Sequence, residues 1–304
     1  MPDDFDVVTG ASGYTGRYIT RALLSRGRRV KTLTGHPTRA NPFGDQIEAM
    51  PFNFDRPEQL KRSVEGVRAL FNTYWVRFPY AGQTFDTAIA DTRVMLDAAK
   101  AAGVRKFVHI SVTKTTEPSP LPYFRGKAIL EAAIRQSSLP YAIIRPALIF
   151  GVEDILLNNI AWLLRRFPFF AIPGRGDYRV QPIFAGDLGE IAANTASDDQ
   201  SATFDAVGPE IFTFDELVRM IARAVHRRPR IVHIDPRIAV AFAWIVGWLV
   251  RDVTLTLDEA RGLMTNLLVT DSAPNATTRF SEWLRLNADK IGTAYASELA
   301  RHFR

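Results

Sequence analysis

Two groups of residues carry the chemistry open to this sequence. Near the start, Thr9-Gly10-Ala11-Ser12-Gly13-Tyr14-Thr15-Gly16 places its glycines at regular intervals, and farther on Tyr123, Lys127 and Glu131 stand four apart. On a helix that second spacing stacks the three side chains on one face, with Lys127 beside the Tyr123 phenol. A phenol with an ordinary pKa of about 10 exchanges protons poorly at neutral pH, and an adjacent ammonium lowers that value by favouring phenolate. Such a tyrosine can trade a proton with a carbonyl or an alcohol. The glycines suit another task. Gly10 permits a tight turn off a strand, Gly13 lets backbone approach a pyrophosphate, and Gly16 lets the following helix pack closely. Phosphate then sits on the helix N-terminus, where free N–H groups and the helix dipole favour an anion.

That cradle needs a strand before it and a helix after it. Phe5 to Val8 is an apolar run and Tyr18 to Leu24 an amphipathic one, so both are present. Arg29 to Thr34 reads as a second strand, and an acid at its end would bind the adenosine ribose diol. Between Arg28 and Ile47 the only acid is Asp45, well past the strand, whereas His36 and Arg39 follow it directly and Arg17 follows the last glycine. The pattern favours a 2′-phosphate, hence NADP(H) over NAD(H). Ile47 to Phe52 is a third strand running into Asn53-Phe54-Asp55, where Phe54 and Asp55 can frame an adenine, and Pro57 to Val64 is a short helix opened by proline. Val67 to Phe71 is a fourth strand that exits through Asn72-Thr73-Tyr74-Trp75, at the end where ligands gather in open parallel sheets. A helical pattern from Thr84 to Ala101 leads through Gly103 to a fifth strand, Lys106 to Ile110, followed by Ser111-Val112-Thr113. This alternation is the α/β pattern of a parallel sheet with helices on both faces.

Beyond residue 151 the pattern changes. Ile155 to Arg166 is an apolar helix, Phe169 to Pro173 a short extended piece, Gly174-Arg175-Gly176-Asp177 a turn, and Gly186 to Ala196 a helix that returns to the core. Thr203 to Ala206 adds a strand, and Thr213 caps a helix from Phe214 to Val225. Residues 1–150 are therefore assigned to a dinucleotide-binding core and 151–304 to a C-terminal subdomain, with about 183–208 returning to the core. Ile238 to Val250 is an apolar run between Arg237 and Arg251, with Trp244 and Trp248 four apart. At about 1.5 Å per residue it falls short of the roughly 30 Å hydrocarbon core of a bilayer. Burial within the subdomain is the expectation, with a substrate-pocket wall and an interfacial anchor on anionic lipid as alternatives. Phe280 to Phe303 reads as a helix pair with Trp283, Leu284, Tyr295 and Leu299 on its apolar side.

Composition narrows the chemistry. The 304 residues are 47% hydrophobic and 23% charged and include no cysteine, which excludes disulfides, cysteine-ligated metals and thiol nucleophiles. The histidines, His36, His109, His226, His233 and His302, show no paired metal-ligand spacing, so no metal site is expected. There is no Gly-x-Ser-x-Gly elbow and no Gly-Lys-Ser/Thr phosphate loop. The net charge is +6 and the isoelectric point near 9.7. No feature selects nucleic acid, since short basic groups such as Arg26-Gly27-Arg28-Arg29 read as solvated faces. Met1-Pro2-Asp3-Asp4 leads straight into the first strand, so a cytoplasmic location is expected, with peripheral membrane contact through 238–250 as the variant of it. Oligomeric state has no signal in the sequence.

Together these motifs resemble the short-chain dehydrogenase/reductase superfamily, in its extended or atypical form. The glycine run matches the superfamily's Thr-Gly-x-x-Gly-x-x-Gly motif and Tyr123 with Lys127 its Tyr-x-x-x-Lys motif, and the likeness continues through Arg145-Pro146-Ala147-Leu148-Ile149-Phe150-Gly151. Within the superfamily, Glu153-Asp154, Leu157-Asn158 and Gln181-Pro182-Ile183-Phe184-Ala185-Gly186-Asp187-Leu188 most resemble the NmrA-like group that contains the nucleotide-binding accessory subunit of respiratory complex I. The resemblance implies a Rossmann-type, doubly wound sheet with a small, mainly helical substrate subdomain. It also implies Tyr123 as proton donor and Lys127 as its tuner and a ligand of the nicotinamide ribose. The cofactor would contact Gly10 to Gly16, His36, Arg39, Phe54, Asp55, Asn72, Thr73, Tyr74, Ser111, Lys127, Pro146, Ala147 and Ile149, while Trp75, Tyr178 and Gln181, with Arg179 nearby, would face substrate. The superfamily's third catalytic group is a serine or threonine just beyond the fifth strand, and if Val112 occupies that slot the role falls to Ser111, Thr113 or neither. Three functions follow from the resemblance: hydride transfer to or from a small carbonyl or activated double bond, a non-catalytic NADP(H)-binding accessory or redox-sensing protein, and nucleotide-sugar epimerase or dehydratase chemistry.

Overall fold

The computed structural model describes residues 4–115, 120–253 and 255–302, so the expected helix end at Phe303 lies outside the described residues. In chain order the elements are β1 (Phe5–Thr9), α1 (Tyr14–Ser25), β2 (Arg29–Thr34), β3 (Ile47–Pro51), α2 (Pro57–Ser63), β4 (Val67–Asn72), α3 (Phe85–Ala101), β5 (Lys106–Ile110), α4 (Pro122–Gln136), β6 (Tyr141–Pro146), β7 (Leu148–Phe150), α5 (Ile155–Arg166), β8 (Phe169–Pro173), β9 (Arg179–Val180), β10 (Pro182–Phe184), α6 (Ala185–Thr195), β11 (Ala202–Ala206), β12 (Phe212–Thr213), α7 (Phe214–Ala224), β13 (Arg230–Ile234), α8 (Pro236–Val250), α9 (Leu257–Met264), α10 (Phe280–Asn287) and α11 (Glu298–His302). They divide into two units: Met1–Pro146 with Gly186–Asp205, and Ala147–Ala185 with Ala206–Arg304.

The first unit is a Rossmann-type α/β fold built on a seven-stranded sheet in the order β11-β6-β5-β4-β1-β2-β3. The registers from β3 across to β6 are all parallel. Strand order reverses between β1 and β4, and ligands of such sheets bind outside the strand ends at that reversal. The central strands β1 and β5 are buried along their whole length, because helices cover both faces. Phe5, Val7, Leu70 and Phe107 pack there with Met95, Leu96 and Ala99 of α3. Each such side chain contributes about 1.5–3 kcal/mol by leaving water.

Local signals set the helix starts. Thr84 and Thr87 form a reciprocal capping box that opens α3. Prolines open α2 and α4, where the missing N–H costs no helical bond. The first helix begins at Tyr14, a turn earlier than the amphipathic stretch from Tyr18, because the glycine loop feeds directly into it.

The second unit holds three two-stranded sheets, β7 with β10, β9 with β12 and β8 with β13, among α5 and α7 to α11. Its core gathers Phe150, Leu157, Ile160, Ile172, Val218, Ile221, Phe280 and Trp283. The expected helix pair at the C-terminus is two short helices, α10 and α11. Trp283, Leu284 and Leu299 are buried, and Tyr295 meets Trp162 edge to face.

The expectation that Ile238 to Val250 is a buried helix does not hold. In α8 the small residues Ala239 and Gly247 turn inward, while Ile238, Trp244, Ile245, Trp248 and Leu249 are exposed. The helix packs against α9 and β8, with Val240, Ala243, Val246 and Val250 half-buried. Hydropathy counts both faces as apolar and cannot tell the inner face from the outer one. Among the described residues, no helix is long and apolar enough to cross a membrane.

Candidate functional site

The glycine loop joins β1 to α1. Gly10 lies at φ +62°, and its N–H donates to the Leu33 carbonyl at 2.8 Å. The Gly13 N–H donates to the Gly10 carbonyl at 2.8 Å. A Cβ on Gly16 would overlap the Gly10 carbonyl oxygen and stand 2.9 Å from its carbon and 3.2 Å from the Thr9 oxygen; on Gly13 it would stand 3.0 Å from the Gly10 oxygen. The close seat of α1 on the end of β1 therefore exists only with glycine. No side chain caps α1 and its first turn holds no acid, which leaves the helix N-terminus to an anion from outside the chain. These features fit the pyrophosphate of a dinucleotide.

Threonines fix this loop. The Thr32 hydroxyl donates to the Val8 carbonyl at 2.8 Å and accepts from the Ala11 N–H at 3.0 Å. The Thr9 hydroxyl accepts from the Thr73 N–H at 2.7 Å, and the Thr73 hydroxyl donates to the Thr9 carbonyl at 2.6 Å. Arg17 reaches back to the Ser12 carbonyl at 3.2 Å. Of the sequence-predicted contacts here, Thr73 thus spends its hydroxyl on the scaffold, and Ser12 is exposed.

Beside the loop a cleft of about 610 Å³ opens at the ends of β2 and β3, lined by Thr34, Gly35, Pro51 to Asp55, and Asp91. Phe52 and Phe54 stack at 4.8 Å, and Tyr74 leans on both at 5.1 and 5.2 Å. Of the expected adenine contacts, Phe54 and Asp55 line this cleft, and Tyr74 packs against the Phe54 ring. His36 and Arg39 are exposed beyond β2, with the Arg39 N–H donating to the His36 carbonyl. Asp91 enters from α3, outside the stretch where an acid was sought. The Tyr74 hydroxyl donates to it at 2.7 Å, and burial first, then this carboxylate, pushes the Tyr74 pKa well up. Asp55 pairs with Arg56 at 3.5 Å.

The third part gathers at the ends of β4 and β5 and on α4. Trp75 lies against Gly126, where a Cβ would stand 2.6 Å from its ring. The Tyr123 ring meets Trp75 edge-on at 5.9 Å and Phe85 at 6.2 Å, and the Lys127 ammonium sits 4.7 Å from the Trp75 ring. Lys127 is buried and donates to the Ile110 carbonyl at 2.7 Å. Burial pulls its pKa down to about 7, against the opposing charge of Glu131.

Glu131, one turn beyond Lys127, is a hub the sequence showed only as a residue on the same face. It accepts from the Ser111 hydroxyl at 2.6 Å, from Arg135 at 2.7 Å and from Nε and Nη2 of Arg145 at 2.9 and 2.5 Å. Burial works to raise its pKa, but the hydrogen bonds from Arg145 and Ser111 and the Arg145 charge outweigh it, and the net direction is down. The Ser111 hydroxyl is therefore spent on Glu131. Val112 and Thr113 are both buried, and the Thr113 N–H donates to the Pro146 carbonyl at 3.1 Å.

His109 is a core histidine with only one ring nitrogen hydrogen-bonded among the described residues. It is fully buried on β5, and its Nδ1 accepts from the Asn72 amide at 3.1 Å, because that amide nitrogen can only donate. The proton then sits on Nε2, which has no hydrogen-bond partner among the described residues. Burial, and then the Lys127 charge, hold the ring pKa well below its usual value, so it stays neutral. Asn72 is spent as well, its oxygen accepting from the Tyr74 N–H at 3.0 Å.

Four predicted residues belong to the second unit. The Ala147 N–H donates to the Ala206 carbonyl at 3.3 Å, and Ile149 pairs with Ile183 between β7 and β10. Tyr178 is buried and stacked on Phe214 at 5.3 Å; its hydroxyl has no hydrogen-bond partner among the described residues, and burial pushes its pKa up. Gln181 is buried, donating to the Gly208 carbonyl at 3.0 Å and accepting from the Thr270 N–H at 3.3 Å. Among the described residues no group of three or more His, Cys, Asp or Glu side chains converges to hold a metal ion.

Known proteins resemble this chain in fold and in an NAD(P)H-binding segment. Residues 10–152 match the family model described as NAD(P)H-binding. The mitochondrial NADH dehydrogenase (ubiquinone) 1 alpha subcomplex subunit 9 of Arabidopsis thaliana is 26% identical over 286 residues, 88% of this chain and 71% of that protein. The chain spans 61 to 65% of the length of the next three relatives of this kind. The ceramide reductase of Caulobacter vibrioides is 27% identical over 283 residues, 88% of this chain and 87% of that one. Among solved structures, the triphenylmethane reductase of Citrobacter sp. superposes with a TM-score of 0.78 at 20% identity, over 94% of this chain and 99% of its own, a likeness of fold. That reductase has also been solved with NADP(H).

Proposed function

We propose that this protein is an NADP(H)-dependent oxidoreductase that reduces a small carbonyl or activated double bond, with Tyr123 as the acid/base group. The observation that carries the proposal is the assembly at the end of β5. There a buried Lys127 lies one turn past Tyr123 on α4, and Trp75 touches both. Bound nicotinamide would supply the hydride from its C4 position. The chain's own residues do the rest. Gly10 to Gly16 hold the pyrophosphate against α1, and Phe54 and Asp55 line the adenosine cleft, with Tyr74 packed on the Phe54 ring. His36 and Arg39 offer cationic and donor groups to a 2′-phosphate. Tyr123 gives its phenolic proton to the substrate oxygen or carbon, and Lys127, near its own titration midpoint at neutral pH, tunes the phenol by its charge. Trp75, Phe85 and Phe124 around the phenol exclude water from that transfer. The Caulobacter relative aligns over most of both chains and is named a reductase, which supports reduction as the reaction.

One observation favours a second reading, an NADP(H)-binding protein that does not turn over. The Ser111 hydroxyl is committed to Glu131, so the substrate-orienting position beyond β5 has no evident hydroxyl from that residue. The complex I relatives, named as subunits of a larger enzyme, fit it. The test of both is Tyr123→Phe, assayed by NADPH oxidation over a carbonyl and quinone panel, with retained cofactor weighed by native mass spectrometry. The proposal expects turnover by the unaltered chain and a loss of about a hundredfold or more in the variant, with cofactor still bound. Unchanged turnover would overturn the role of Tyr123. Tight NADPH binding with no turnover by the unaltered chain would select the second reading.

A further inference from the structure

The outer face of α8 has no polar residue along its middle. Ile238, Ala241, Trp244, Ile245, Trp248 and Leu249 fall at helical spacing on one side, and the tryptophans are 73% and 74% exposed. On a 100° helical wheel these positions cover an arc of about 140°, wider than the stripe a surface helix ordinarily buries. The inner side, with Ala239 and Gly247, already packs on β8 and α9, so the outer side is not the helix's share of the core. A single exposed leucine needs no explanation, whereas a continuous stripe of this size marks a surface that something else covers.

Charge identifies what covers it. No acid lies within Pro236–Val250, and exposed arginines bracket the stripe, Arg237 at its start and Arg251 just past its end. The chain entering β13 and α8 adds exposed Arg227, Arg228 and Arg230. The nearby acids are engaged: Asp235 caps the helix by accepting from the Arg237 N–H at 2.8 Å, Asp252 is buried on the N–H groups of Glu298 and Leu299, and on the neighbouring α9 Asp258 stands 3.5 Å from Arg261 and Glu259 accepts from the Thr256 N–H. We propose that α8 lies flat on an anionic lipid bilayer, with Trp244 and Trp248 at the headgroup level and the flanking arginines on lipid phosphates. At about 1.5 Å per residue the helix is about 22 Å long, too short to cross and suited to lying in the plane. Indole rings favour that boundary because one edge is apolar and the N–H is wet.

The test is sedimentation of the full chain with phosphatidylcholine vesicles and with vesicles containing about one third phosphatidylglycerol, read with tryptophan emission. The proposal expects binding that rises with anionic lipid and falls with salt, a blue-shifted emission, and quenching by lipid brominated along the acyl chain. Trp244→Ser with Trp248→Ser should weaken partitioning about tenfold or more while the unfolding temperature stays in place, since both rings stand in solvent. The quenching measurement uses the unaltered chain and does not depend on that variant folding. Absence of binding to either vesicle overturns the proposal, as does binding that the double variant leaves unchanged. Concentration-dependent dimerisation abolished by the double variant, without vesicle binding, would assign the face to a second copy and overturn it too.

Discussion

Replacing Gly16 with alanine tests the cradle where its geometry is tightest. The added Cβ would meet backbone atoms only: it overlaps the Gly10 carbonyl oxygen and stands 2.9 Å from the Gly10 carbon and 3.2 Å from the Thr9 oxygen, where ordinary contact begins near 3.4 Å. Backbone cannot rotate aside, so α1 must lift off β1, at a cost of about 1–3 kcal/mol or more. That lift moves the helix N-terminus away from the phosphate site. If the cost falls mainly on the bound state, NADPH affinity drops by about a hundredfold, at 1.4 kcal/mol per tenfold. Two other glycines separate this effect from simple destabilisation. Gly10→Ala puts a side chain at φ +62° with its nearest neighbour, the Thr73 hydroxyl oxygen, at 3.9 Å, so it adds left-handed strain of about 1–2 kcal/mol without a clash. Gly27→Ala, at the far end of α1, has φ +70° and open space, and should lower the unfolding temperature while leaving NADPH affinity alone. Calorimetric titration with NADPH and thermal unfolding of all three variants give the comparison. The reasoning is refuted if Gly16→Ala binds NADPH as Gly27→Ala does.

Two further outcomes follow from the same geometry. Folding lowers the Lys127 pKa from 10.5 to about 7, mainly by burial, so the native state holds fewer protons than the unfolded chain between those values. Stability should then rise with pH across that window, present in full above 10.5 and lost as pH falls to about 7. The difference, 10.5 minus 7, corresponds to about 5 kcal/mol at 1.36 kcal/mol per unit, and Lys127→Met should abolish that slope in urea unfolding measured at a series of pH values; a slope that persists contradicts it. Arg39→Ala should weaken NADPH binding about tenfold, the worth of one charge-assisted hydrogen bond, and leave NADH binding in place. Equal weakening of both cofactors would remove Arg39 from 2′-phosphate recognition.

Much of the first unit was legible because each signal was local. A strand followed by Gly10, Gly13 and Gly16 admits few folds, and apolar runs alternating with helical periods specify a parallel sheet. Residues far apart in the chain were hidden. Asp91 joins the cleft at the ends of β2 and β3 from α3, and Arg145 reaches Glu131 from β6. Nothing in the spacing of Ser111 showed that its hydroxyl would be taken by Glu131, and His109 revealed its neutral, buried state only once Asn72 and Lys127 were placed around it. The second unit was less readable for two reasons. The strand β13 is a five-residue piece whose place beside β8 depends on tertiary pairing, and α9, opened by a Thr256 and Glu259 capping box, was not anticipated. In α8, Ala239 and Gly247 lie inward and Trp244 and Trp248 outward, and apolar content is blind to that placement.

The central claim is that Gly10 to Gly16 hold a nicotinamide dinucleotide carrying a 2′-phosphate. Native mass spectrometry of the full chain, equilibrated with equal concentrations of NADPH and NADH, tests it most directly. The account predicts one NADPH per chain in preference to NADH, with that adduct lost in Gly16→Ala. A chain that retains neither nucleotide, or that takes NADH in preference, would contradict it.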